Sequence, residues 1–375
     1  MVNMKEKILL ILSLASLALV FAVLLYAFAP GLFPAYYAPV GAWWLLDLFG
    51  YMLSMAVLVT APVFFGKYLS PTPSGLSVLR SSMIATMAGV IGGFGLVVMG
   101  LSELIGWEVT SQLVMLAVVF ALLPSLFSWL FSPLLINLIY GCKPDPVLQG
   151  IVNNVAARAG MKPPKAVIAR RMKEPNAFAY SSPLFGSYVA VTEGMLSIAR
   201  GPALEAVIGH ELGHHKHKDN TIMLIFGLIP SVIYFLGRFL MYMGMYSSSY
   251  RYDGGRDRRG NGVLFLLAGI ALIVISVIIQ LAVLALSRLR EHYADAHGAK
   301  VTSPDAMISA LASLDAFYNR YRVAKARIDD SKLKMFFIYA LAEPFVSLEE
   351  LLATHPPIEK RIAFLESLKQ GPIEA

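Results

Sequence analysis

Six apolar stretches run through this chain, each long enough to cross a bilayer as a helix, which takes about 20 residues. They are Ile8 to Ala29, Trp43 to Phe65, Met83 to Leu101, Leu113 to Leu138, Ile222 to Met243 and Val263 to Leu286. The first is too long for a signal-peptide core and is followed by further apolar spans, so it counts as a helix. A chain so patterned belongs in a membrane. Composition agrees: 57% of the 375 residues are hydrophobic, 15% are charged, and mean hydropathy is +0.65. Such numbers exclude a disordered chain, and a single cysteine, Cys142, excludes a disulfide framework. The net charge of +7 suits the cytoplasmic loops of a polytopic protein, so no nucleic-acid partner is expected.

Loop charges set the orientation, because Lys and Arg near span ends favour the cytoplasm. Lys5 and Lys7 put the N-terminus inside, Lys67 and Arg80 put the second loop inside, and Glu103 and Glu108 leave the third outside. The loop from Arg251 to Arg259 breaks the rule, with four arginines and two aspartates on the outer side. Either the last hairpin crosses incompletely or the earlier helices dominate. The spans divide the chain into 1–141, with four helices; 142–220, a first aqueous part; 221–286, a hairpin; and 287–375, a second aqueous part.

In the first aqueous part, Pro146 to Gly160 has helical apolar spacing and a glycine at its end. Ala166 to Ala169, Ala177 to Tyr180 and Tyr188 to Thr192 read as short strands between breakers. Gly201-Pro202 starts a further helix. That helix contains His210-Glu211-Leu212-Gly213-His214. Imidazoles four residues apart share one helix face and can bind one zinc ion, with Glu211 in reach of a water on that ion. Zinc lowers such a water's pKa towards about 7, and Glu211 is the candidate general base.

A third ligand is needed. His217 stands about 10 Å from His210 along the axis, and His215 points elsewhere. Glu291, in Ser287-Arg-Leu-Arg-Glu-His-Tyr-Ala-Asp295, is a better candidate, and Asp295 on the same face can accept the second ring N–H of a ligating histidine.

Taken together, four elements in order resemble the HtpX-type integral-membrane zinc metalloproteases: Glu174-Pro-Asn-Ala-Phe-Ala179, His210 to His214, Ser287 to Asp295, and Thr354-His-Pro-Pro357 with Arg361-Ile362. The resemblance spans about Cys142 to Leu368. It departs from the commoner pattern in its extra apolar spans and in His292. It implies one Zn²⁺ per chain held by His210, His214 and Glu291, with Glu211 as base and the active site on the cytoplasmic side. By chemistry and resemblance together, Asn176, Ala177 and Phe178 present an edge to an extended substrate, or else form a turn. His355, at the start of a last helix, steadies the oxyanion or serves as a helix-end residue. Arg361 pairs with Asp295 or Glu359.

The expected fold is therefore membrane α-helical, with about six transmembrane helices and a cytoplasmic α+β zincin-like metalloprotease domain containing a small β-sheet. The expected function is zinc-dependent endoproteolysis in protein quality control at the cell membrane. Its partners are polypeptides, chiefly membrane proteins, and the lipid bilayer; the sequence leaves the oligomeric state open. A prenyl-protein protease shares the metal motif. A non-catalytic metal sensor would need the ligands but not Glu211, and the spans hold few charges beyond Asp47 and Arg238.

Overall fold

The computed structural model describes residues 72–249, 261–329 and 355–369, with Leu48, Met52 and Ser54 as isolated positions before them. The expected span Ile8 to Ala29 lies outside the described residues. So do nearly all of Trp43 to Phe65 and the loop 251–259. The described elements are α1 (Leu76–Ile105), α2 (Trp107–Tyr140), β1 (Cys142–Pro144), α3 (Pro146–Arg158), β2 (Lys165–Ala169), β3 (Ala177–Ser182), β4 (Gly186–Thr192), α4 (Glu193–Ile198), α5 (Pro202–Lys216), α6 (Asp219–Ser249), α7 (Asn261–Val301), α8 (Pro304–Asp329) and α9 (Ile358–Leu368).

Among the described residues, α1, α2, α6 and α7 are long and apolar enough to cross a membrane. Each outruns the apolar stretch that marked it, because a helix stops at a breaker and not where hydropathy falls. At the end of α2 that breaker is Gly141, with φ 61°. A Cβ there would lie 2.9 Å from Arg171 Cγ, while Arg171 donates to the Leu138 carbonyl at 2.6 Å and satisfies the helix end. Past Leu286 no proline intervenes, and α7 continues unbroken to Val301, carrying Glu291 and Asp295 on the same rod as the sixth apolar stretch. Of the glycines 89, 92, 93 and 95 in α1, a Cβ on Gly93 would lie 3.3 Å from Ile279 Cδ1 of α7, whereas one on the others would meet no described atom within 4 Å.

The chain divides into two units. In one, whose described part is 236–249, 261–274 and the isolated positions Leu48, Met52 and Ser54, α6 and α7 approach closely: a Cβ on Gly244 would lie 2.7 Å from the Leu266 nitrogen, and one on Gly269 2.6 Å from Met241 Cγ. The other, 57–235 and 275–375, contains the sheet and the remaining helices.

The sheet has order β1-β2-β4-β3. β1 is antiparallel to β2, β2 parallel to β4, and β4 antiparallel to β3. β1 is a strand that the sequence reading passed over, three residues with only local signal. One face of the sheet packs on α3 and α5 through Leu148, Val152, Val189, Val191, Ile208 and Leu212. Its other face meets the end of α2 through Ile136, Phe178, Tyr180 and Tyr188.

Helix α5 is buried nearly all round, and its three faces have separate tasks. Leu204, Ile208 and Leu212 enter the core, while His210 and His214 look towards a cavity. The third face is Ala206, Gly209 and Gly213, against Ala294, His297 and Gly298 of α7. A Cβ on Gly298 would lie 2.8 Å from the Ala206 carbonyl oxygen, and one on Gly213 would lie 3.1 Å from Ala294 Cα. Small residues three or four apart thus let the two backbones touch. Gly298→Val is expected to destabilise the protein by about 1–3 kcal/mol through overpacking. Thermal unfolding of the detergent-purified chain checks this, with Gly150→Ala, which meets no atom within 4 Å, as the control that stays unchanged or gains.

Candidate metal centre and active site

The contact of α5 with α7 brings His210 and His214 face to face with Glu291. The Nε2 atoms of His210 and His214 are 3.2 Å apart, and each lies 3.5 Å from a Glu291 carboxylate oxygen. One donor atom from each of the three residues lies within 4.8 Å of the others. Ligand atoms at zinc distances of about 2.0–2.1 Å in a tetrahedron are spaced about 3.4 Å apart, so the donor set fits such an ion as it stands.

The outer ring nitrogens are both held. His210 Nδ1 donates to Asp295 Oδ1 at 2.8 Å, and His214 Nδ1 donates to Asp219 Oδ2 at 2.6 Å. With each Nδ1–H so engaged, both Nε2 lone pairs are left free beside one another, as ligation of one metal ion requires. Burial opposes charge on both rings. At His210 the carboxylates of Asp295 and Glu291 outweigh it and raise the pKa, whereas at His214 burial and the neighbouring His210 lower it.

Each supporting carboxylate is itself gripped by an arginine. Asp295, fully buried, takes a two-pronged bond from Arg361, Nε to Oδ2 at 2.8 Å and Nη2 to Oδ1 at 2.6 Å. Of the two partners open to Arg361, the structure chooses Asp295. Asp219 pairs with Arg290, which also donates to the His217 carbonyl at 2.8 Å. Sequence reasoning missed Asp219 and Arg290. Their signal was an acid five residues after His214, brought back under that ring by Lys218, a non-glycine residue at φ 54°.

His215 and His217 stand apart from the donor set. His215 donates from Nε2 to the Tyr188 carbonyl at 2.8 Å and ties α5 to β4. His217 caps α5 and packs its ring on Tyr293. The Arg361 pair and the Phe364 ring against His292 dock α9 on α7. That docking carries His355 to the site mouth, where Nδ1 lies 2.7 Å from Glu291 Oε2.

A cavity of about 280 Å³ opens here, lined by Asn176, Ala177, Phe178 and Ala179 on one side and by His210, Glu211, His214, Glu291 and His355 on the other. All three residues expected to meet a substrate therefore reach it. Their parts differ, however. Asn176 has its main chain tied to Thr192: its N–H donates to Thr192 Oγ1 at 2.9 Å and its carbonyl accepts from the Thr192 N–H at 3.0 Å. Phe178 turns its ring onto Tyr140, 5.4 Å between centroids. Alternation along the strand then directs the main-chain groups of Ala177 and Ala179 outward, on the edge of β3 that no other described strand pairs with.

Comparison with known proteins agrees with this geometry. The model of Peptidase family M48 matches residues 143–369. A protein named Protease HtpX homolog from Archaeoglobus fulgidus is 45% identical over 269 residues, covering 67% of this chain and 76% of that protein. Another of that name, from Pyrobaculum islandicum, is 38% identical over 347 residues, covering 85% and 96%. The crystal structure of S. mikatae Ste24p shares the fold, with a TM-score of 0.50 at 18% identity over 96% of this chain and 86% of that one. The family is one of metal-dependent peptidases, and a peptidase's substrates are polypeptides. A match over most of the chain, with relatives well above 30% identity, carries the conclusion: this chain belongs to peptidase family M48 and is a membrane metallopeptidase.

Proposed function

We propose that this protein is a zinc endopeptidase of the cell membrane, holding one Zn²⁺ per chain and cutting membrane or misfolded proteins at the cytoplasmic face. The observation that carries the reading is the spacing of the His210, His214 and Glu291 donor atoms, beside Glu211 and the outer strand β3 of the described sheet in one cavity. In this reading the chain crosses the bilayer six times. Residues 1–141 supply four helices, 221–286 a hairpin, and 142–220 with 287–375 the peptidase domain. Positive charge on the early loops supports a cytoplasmic site.

A bound zinc ion would polarise the scissile carbonyl and acidify water. The residues of the chain do the rest. Ala177 and Ala179 hold an extended substrate as an added strand, with Asn176 at the strand entrance. Glu211 takes the proton from the attacking water and delivers it to the leaving amine. His355, with a side chain 65% exposed at the site mouth, turns from Glu291 to meet the oxyanion. Asp295 and Asp219, each held by its arginine, keep His210 and His214 in the tautomer that leaves Nε2 free.

Glu211→Gln should retain one zinc per chain and lose cleavage of an unfolded model protein by about 10²–10⁴-fold, the range of a general base. Metal analysis and gel assays on the detergent-purified chain check this, with a chelator abolishing wild-type activity. Equal cleavage by both proteins sinks the role of Glu211, and preference for a prenylated peptide transfers the reading to a prenyl-protein protease. Asp219→Asn should weaken zinc binding by about 10–100-fold in a competition titration, the usual effect of removing a ligand's carboxylate support.

A further inference from the structure

The hairpin of β3 and β4 has a chemistry that the metal centre does not require. Between Glu174 and Glu193 the chain contains no Asp, Glu, Lys or Arg, although both ends of the segment are charged. Its turn is Pro183-Leu184-Phe185, and Leu184 is 60% exposed. Such a tip on an aqueous domain would be an exposed apolar patch without a partner.

Its position identifies the partner. The hairpin lies along the C-terminal part of α2, running back towards the middle of that helix. Near the catalytic end Phe178 packs on Tyr140; next, Tyr180 donates to Asn137 Oδ1 at 2.6 Å; at the tip Phe185 faces Phe131, 6.3 Å between centroids. From residue 140 to residue 131 a helix rises about 13 Å. The flank of α2 remains apolar and bare well below that level, with Leu138 66% and Ile139 59% exposed, and no charge intervenes between Glu108 and Lys143. Lipid that covers Ile139 therefore also covers the level of Leu184. Lys165, its ammonium 5.0 Å from the centre of the Tyr188 ring, stands beside the Tyr180–Tyr188 stack, a lysine-aromatic pairing suited to the headgroup level.

We propose that the β3–β4 hairpin dips its tip, Pro183 to Phe185, into the bilayer alongside α2. The dip pins the edge strand to the membrane surface. One end of β3 then sits in lipid and the other, at Ala177, lines the catalytic cavity, about 17 Å away along the strand. On the peptidase reading given above, a polypeptide paired with the outer edge of β3 runs from the membrane surface to Glu211 without leaving the strand.

The test uses a nitroxide on Leu184→Cys in a Cys142→Ser background, with the full chain reconstituted in phosphatidylcholine–phosphatidylglycerol vesicles. Collision with oxygen, which concentrates in hydrocarbon, is compared with collision with a water-soluble nickel chelate. Met115→Cys, exposed on α2, is the lipid reference and Lys162→Cys the water reference. An oxygen-to-nickel ratio several-fold above that of Lys162→Cys is the expected result. A ratio equal to that of Lys162→Cys overturns the proposal. Protection from both probes also overturns it, because a protein or a second copy then covers the tip. Pro183→Cys repeats the measurement should the first variant fail to fold. The readout needs neither metal nor turnover, so failure here leaves the peptidase reading untouched, and failure of that reading leaves the depth measurement standing.

Discussion

The distance between α5 and α7 governs the rest of this protein. A tetrahedral site needs donors from two helices within about 3.4 Å of each other, and ordinary helix pairs, 8–10 Å apart, keep medium-sized side chains between their axes. Here the intervening side chains are removed. Gly209 and Gly213 face Ala294 and Gly298, and backbone meets backbone. The histidines and the glutamate project from the margin of that contact, so their separation is set by rigid main chain and not by flexible side chains. This precision has a requirement elsewhere, since a helix buried on three faces must be given a core, a partner and a cavity at once. The sheet supplies the core, with Ile208 and Leu212 against Val189 and Val191.

Charge is the second constraint, and it follows from the first. Bringing two helices so close buries Asp295 and Glu291, and a buried charge is stable only with a partner and hydrogen bonds. Asp295 receives both from Arg361, which lies on α9, far along the chain. The electrostatic need of the site thus becomes a docking force for the last helix, and the docked helix in turn brings His355 to the mouth. Asp219 and Arg290 repeat the device on the other histidine, this time between the starts of α6 and the far part of α7. Imidazole, carboxylate and guanidinium form two parallel series that meet at the Nε2 atoms.

The chemistry of the centre was legible early because it is written in local spacing. His210 and His214 share a face by helix geometry alone, and Glu291 and Asp295 do so for the same reason. Arg361 was legible only as a residue with two possible partners, since nothing in a linear chain says which carboxylate it will reach. Asp219 and Arg290 escaped notice because neither belongs to a periodic pattern; they meet through the turn at Lys218 and the length of α7. The glycines of α5 and α7 were visible, yet their purpose was not, because a small residue in a helix signals a close approach without saying to what. Likewise β3 could be read as a strand, but its place at the edge of the described sheet depends on β4 pairing with β2, with β3 between them in the chain.

By itself, the sequence determined what is decided within one element: which stretches are apolar enough to cross a membrane, which helix face carries two imidazoles four residues apart, and which acid stands between them in the chain. Tertiary structure decided everything that needs two elements. It selected Asp295 for Arg361, Asp219 for His214, Ala177 and Ala179 as the outward groups of β3, and the flank of α2 as the bed of the hairpin. The physical reason is that periodicity of 3.6 or 2 residues fixes directions around a single axis, whereas partnership depends on how axes cross, and crossing is settled by the packing of side chains from distant parts of the chain.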